Sequence, residues 1–200
     1  MSKTMSKTTS KRIALLSAAA FSALAITATI VAPVSAQDKM KSEMSGEKTV
    51  MVGGAAMFRS KNIIQNAVNS KDHTTLVAAV KAAGLVDTLE GKGPFTVFAP
   101  TNAAFGKLPA GTVDTLVKPE NKAILTKILT YHVVAGKLEA SDLTDGKKLK
   151  TVQGEELTVK RSGDTVMIID AKGGSSTVTI PNVNQSNGVI HVVDTVLMPS

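Results

Sequence analysis

The stretch GPFTVFAPTNAAF, Gly93 to Phe105, decides the fold. A Gly-Pro turn leads into Phe95-Thr96-Val97-Phe98, a β-branched and aromatic run that predicts a strand. Ala99-Pro100 should end it, because proline has no N–H for a ladder and restricts the residue before it. Thr101-Asn102 ahead of Ala103-Ala104-Phe105 predicts a helix start, with a side-chain oxygen accepting from a free backbone N–H. Three of the five phenylalanines of the 200-residue chain fall in this segment, so it should carry core.

On the N-terminal side of this stretch the pattern is helical. Ile63, Ile64, Ala67 and Val68 fall on one face. Asp72-His73-Thr74-Thr75 precedes a second helix with Leu76, Val77, Val80 and Ala83 inward and Gly84 at a left-handed C-cap. His73, beside that helix start, is expected to be exposed. Leu85, Val86 and Leu89 make a further apolar turn. Val113, Leu116 and Val117 follow, and then a helix with Pro119 at its first position and Ile124, Leu125, Ile128 and Leu129 inside.

From Thr130-Tyr131-His132-Val133-Val134 onward the sequence turns β-rich. Leu149–Val152, Leu157–Val159, Val166–Ile169, Val178–Ile180 (limited by Pro181) and Val189–Val193 read as strands. Ser162-Gly163, Gly173-Gly174 and Asn187-Gly188 read as turns. Helices first and strands later predict an α+β fold.

Residues Met1 to Ala36 have the form of an export signal. Lys3, Lys7, Lys11 and Arg12 form a basic start, Ile13 to Val31 is apolar, and Pro33-Val34-Ser35-Ala36 offers small side chains for cleavage after Ala36. A retained membrane anchor is the alternative, since the apolar run is nearly long enough to span. Gln37 to about Met57 mixes Lys, Glu, Ser, Gly and Met without periodicity and predicts a flexible tether, so the folded domain is expected over 58–200. Methionines 40, 44, 51 and 57 could also suggest a soft-metal site.

Removing the four basic residues of the leader from a net charge of +7 leaves about +3. With no Lys/Arg cluster interleaved with aromatics, nucleic acid is not an expected partner. Cysteine is absent, which excludes disulfides, a thiol nucleophile and Cys-ligated metal. The three histidines stand far apart without a paired carboxylate motif, so no metal or other cofactor is expected. No Gly-x-Ser-x-Gly elbow supports hydrolase chemistry.

The Gly93–Phe105 segment closely resembles the first signature box of fasciclin-like domains. Asn187-Gly188-Val189-Ile190-His191-Val192-Val193-Asp194, continued by Leu197-Met198-Pro199, resembles the second. Tyr131-His132 matches the family's Tyr-His pair between them, and Asn62-Ile63-Ile64 and Leu85–Leu89 fit its lead-in. The chain is thus similar to small secreted bacterial proteins with one fasciclin domain, mycobacterial secreted antigens among them. The resemblance implies a wedge-like β-sandwich with helices packed round it. It also implies a non-catalytic role in adhesion or protein interaction, exported to the periplasm, the cell surface or the extracellular matrix. The implied partner is a surface or matrix protein or a polysaccharide, with no membrane span after signal cleavage. A carbohydrate- or small-ligand-binding role in the periplasm or biofilm is the alternative.

In animal members the Tyr-His pair with apolar neighbours is linked to integrin binding. The resemblance therefore makes Tyr131 and His132, flanked by Leu129 and Val133, the candidate partner contacts. A second animal motif, an Asp-Ile pair before the second box, is replaced here by Ile180-Pro181-Asn182-Val183. Read as a strand, Tyr131 and His132 should point to opposite faces. The competing reading makes His132 a buried hydrogen-bonding residue that ties its strand to the Thr101-Asn102 turn. Phe95, Thr96, Phe98, Pro100, Thr101, Asn102, Phe105, Gly188, His191 and Asp194 are expected to be structural, Asn102 as a cap. Lys147, Lys148, Lys150, Lys160 and Arg161 form a modest basic strip. It is either a solvated surface that blunts sheet edges or a hold for acidic polysaccharide.

Overall fold

The computed structural model describes residues 47–200, so the leader over 1–36 lies outside the described residues. Two strands, β1 (Val50–Val52) and β2 (Ala55–Met57), form an antiparallel hairpin. Helices follow as α1 (Ile63–Ala67), α2 (Thr74–Ala83) and α3 (Val86–Glu90), with a 3-10 turn at Lys71–His73. Strand β3 (Phe95–Pro100) leads to α4 (Asn102–Gly106), α5 (Thr112–Leu116), a 3-10 turn at Pro119–Asn121 and α6 (Lys122–Tyr131). The strand half comprises β4 (Val133–Ala135), β5 (Lys148–Lys150), β6 (Glu156–Ser162), β7 (Thr165–Ile169), β8 (Ser175–Gln185) and β9 (Gly188–Val193).

The main sheet has seven strands in the order β4-β3-β9-β8-β7-β6-β5. It curls until its ends meet: Val134 bridges Thr151, and the Val152 N–H donates to the Val133 carbonyl at 2.7 Å. The result is an α+β fold with a near-closed sheet. The two signature stretches pair side by side, β3 with β9, as the parallel pair of the sheet. A parallel pair is covered on both faces, and every residue of β9 is buried.

Two cores follow from this coverage. Inside the curled sheet lie Phe98, Tyr131, Leu143, Leu157, Ile168, Val193 and Leu197. Between sheet and helices lie Ile63, Leu76, Val80, Val97, Leu125, Leu129, Ile190 and Val192. Alternation along β3 sends Phe98 to the first core and Val97 and Ala99 to the second. Glycine is required at Gly188, where an added Cβ would sit 2.1 Å from the Phe95 carbonyl oxygen, and at Gly93 (φ 59°), where it would meet the Asn187 carbonyl oxygen at 2.2 Å. The two signature boxes therefore touch backbone to backbone.

Several expectations are corrected. Met57 and Val52, expected in a flexible tether, are buried in the helix-side core, because the Gly53-Gly54 turn folds the hairpin back onto the domain. Pro181 does not limit β8. The strand runs through it by register shifts around Ile180, with Asn182 at φ 57° absorbing the bulge. The β8–β9 turn is Ser186-Asn187, one residue earlier than Asn187-Gly188, since Gln185 pairs with Gly188. Ile124 and Val68 face solvent rather than core, at 53% and 49% exposure.

Candidate functional site

Tyr131 and His132 sit not in a strand but at the end of α6, Tyr131 as its last residue and His132 as its C-cap. The helix continues because its buried face runs on through Ile128, Leu129 and Tyr131, while Thr126 and Thr130 return their hydroxyls to the Lys122 and Thr126 carbonyls one turn back. Both side chains point inward, with Tyr131 fully buried and His132 2% exposed. Leu129 and Val133 are buried as well. The four residues proposed by resemblance as partner contacts thus form an interior junction.

The chemistry of that junction is specific. The Tyr131 hydroxyl accepts from the Ala171 N–H at 2.8 Å and points its own hydrogen at the Glu156 carbonyl, 3.4 Å away. Burial pushes its pKa up. The His132 Nε2 accepts from the Leu197 N–H at 3.0 Å, so Nδ1 carries the proton and donates to the Ile128 carbonyl at 2.9 Å. The ring is therefore neutral, and burial holds its pKa down to about 4. The ring bonds the C-terminal segment, not the Thr101-Asn102 turn. What reaches the opening stretch is the His132 backbone carbonyl, which accepts from the Phe98 N–H at 2.9 Å.

The remaining motif residues also work as fasteners. Thr101, rather than Asn102, caps α4, its hydroxyl accepting from the Ala104 N–H at 3.2 Å. Asn102 caps another helix: its Oδ1 accepts from Thr75 N–H at the start of α2, and its Nδ2 donates to the Lys71 carbonyl and the Thr74 hydroxyl. Asn187 does the same at longer range, accepting from Ile63 N–H at the start of α1 and donating to the Leu89 and Gly91 carbonyls. The Thr96 hydroxyl donates to the Gly136 carbonyl at 2.7 Å and accepts from Leu138 N–H. His191 stacks on Phe98 with ring centroids 5.7 Å apart, donates through Nε2 to the Leu138 carbonyl, and is held neutral by burial. Asp194 accepts from Thr177 N–H at 2.8 Å and pairs with Lys107 at 3.4 Å. Burial alone would raise its pKa, but these bonds hold it below the usual carboxylate value.

His73, expected at the surface, is 3% exposed and accompanies Ser70, whose hydroxyl lies 2.9 Å from Nδ1. A serine beside a histidine is two thirds of a nucleophile arrangement. Here Ser70 is itself 2% exposed, and Nε2 is buried with no hydrogen-bond partner among the described residues. Burial lowers this pKa too. No signal in the sequence separated His73 from a surface residue, because its burial comes from the β1–β2 hairpin, which brings Gly53 over Ser70. Among the described residues no group of three or more His, Asp or Glu is placed to hold a metal ion. The cavity that His132 lines, of about 30 Å³ between Ile63, Leu76, Val80, Leu129 and Ile190, is apolar. It holds nothing larger than a water-sized molecule and offers it too few polar partners.

The profile of the family described as the Fasciclin domain matches residues 71–199. A Synechocystis relative, protein sll1483, is 48% identical over 153 residues, covering 76% of this chain and 82% of its own. The cell surface glycolipoprotein MPB83 of Mycobacterium bovis is 41% identical over 152 residues, 74% of this chain and 64% of its own. The immunogenic protein MPB70 of the same species is 41% identical over 138 residues, 66% of each chain. The solved FAS1 domain pair of the insect cell adhesion molecule fasciclin I shares the fold at a TM-score of 0.63 and 18% identity, over 76% of this chain and 58% of that one. Profile, relatives and fold agree with one another, and the chain belongs to the fasciclin domain family.

Proposed function

We propose that this protein is a non-enzymatic interaction module, exported and acting at the cell surface or in the surrounding matrix. The observation that carries the reading is where the chemistry-bearing residues go. All three histidines are buried, and two of them, with the tyrosine, spend their polar atoms on backbone groups of this chain. Such residues hold a scaffold together and leave recognition to surfaces. Similarity to a protein named as a cell surface glycolipoprotein supports the location. So does the basic, apolar and small-residue order of Met1 to Ala36. No helix of the described residues is long and apolar enough to cross a membrane. In this reading Tyr131, His132, Leu129 and Val133 support the binding surface from inside and do not touch the partner.

Fractionation of cells expressing the tagged full chain, followed by cross-linking in the envelope, tests the proposal. Recovery in periplasm, cell surface or medium with a defined cross-linked partner is expected. Recovery in the cytoplasm alone contradicts it.

A further inference from the structure

We infer that the outer face of β5, β6 and β7 binds an anionic polysaccharide chain, an inference that rests on the interaction-module reading and names its partner class. Alternation along these strands sends Leu149, Leu157, Val159, Val166 and Ile168 into the curled sheet. The opposite face is left to Lys148, Lys150, Thr158, Lys160, Met167 and Ile169. Among the described residues the main helix–strand packing is on β2, β3, β4 and β9, and no helix is packed closely on that face. Met167 and Ile169 are only half-buried and belong to neither core, so they form an apolar floor that no core residue among the described residues covers.

The ladder aligns this floor with polar groups in rows. Lys148 stands opposite Thr158, Thr158 opposite Ile169, and Ile169 opposite Ser175. In the next row Lys160 stands opposite Met167 and Met167 opposite Thr177. Lys150, Lys148 and Lys160 step along the strands two residues at a time, roughly 7 Å per step, a spacing on the scale of one or two pyranose rings. Glu156, paired with Lys148 at 3.3 Å, is the one acidic strand residue on the face. Lys150 and Lys160 make no ion pair among the described residues.

Three chemistries thus meet on one sheet: ammonium groups for carboxylates, hydroxyls for sugar hydroxyls, and an apolar floor for the C–H face of a ring. The same face suits the other polyanions less well. Single-stranded nucleic acid would use aromatic platforms, and β5, β6 and β7 carry none. A lipid surface is met by apolar side chains that insert from an amphipathic helix, whereas this face is a sheet.

The test is binding of the full chain to alginate, with neutral dextran and phosphatidylglycerol vesicles as the other arms. Alginate binding is expected, strengthening as ionic strength falls because exposed charges are less screened. Changing Lys148, Lys150 and Lys160 together to Gln should weaken it about tenfold or more. The same charge change at Lys71, Lys81 and Lys118 should leave it within about twofold. Met167→Ser should weaken binding a few-fold at an unchanged melting temperature. Amide shifts of the unmodified protein on adding alginate oligomers should map to β5–β7, which needs no variant to fold. Equal losses from both lysine triples, equal binding to dextran, vesicle binding alone, or shifts elsewhere overturn the inference. Failure on alginate with continued retention on the cell envelope overturns this inference and leaves the interaction module standing. Failure on both removes both.

Discussion

His132 satisfies two buried backbone groups with one neutral ring, and this sets its behaviour with pH. Its folded pKa, about 4, lies below the ordinary 6.5 of an unfolded chain. Between those values the unfolded state takes up a proton that the folded state refuses. The stabilisation is therefore complete above about pH 6.5 and falls as pH drops toward 4, by roughly 3 kcal/mol at the end of that window. His73 and His191, also shifted down by burial, act with the same sign. Melting temperatures followed from neutral to mildly acid pH should fall, and His132→Gln should flatten part of that fall. Tyr131→Phe removes the acceptor of the Ala171 N–H and should destabilise by about 1–2 kcal/mol in denaturant unfolding.

At the scale of elements, Asn102 is the telling residue. Its neighbourhood, Pro-Thr-Asn-Ala, announces a cap, and a cap it is, but for α2 some 27 residues upstream. Local sequence shows the capability of an Asn side chain and not which helix will use it. Asn102→Ala should destabilise by ~1 kcal/mol and speed amide exchange in the first turn of α2, leaving α4 protected by Thr101. Asn102→Asp, which keeps the acceptor, should retain most of that protection. Helix and strand types were legible elsewhere for a physical reason: Leu76, Ala79, Val80 and Ala83, or Leu157 and Val159, alternate at the period of their own element. The failures fall where distant contacts decide. Thr130 to His132 has β-rich composition, yet α6 carries through Tyr131 because its core face runs on through Ile128 and Leu129. The candidate site shared this fate. Tyr131 and His132 could be picked out by resemblance, but their burial depends on Ala171 and Leu197, far along the chain.

For the molecule as a whole, the helix-side core extends into residues that look like linker. Val52 and Met57, each 3% exposed, should make a chain that starts at Phe58 less stable than one that starts at Glu47. The loss of two buried apolar side chains corresponds to about 3–5 kcal/mol, readable as a lower denaturant midpoint. The same logic divides the molecule into an interior that uses its conspicuous motifs as fasteners and a surface to which the proposed function assigns recognition. That division is tested most directly by His132→Ala, measured for unfolding free energy and for envelope retention per folded molecule. A loss of about 2–4 kcal/mol with retention unchanged is the predicted result. Unchanged stability with lost retention would contradict it and return the Tyr-His pair to the binding surface.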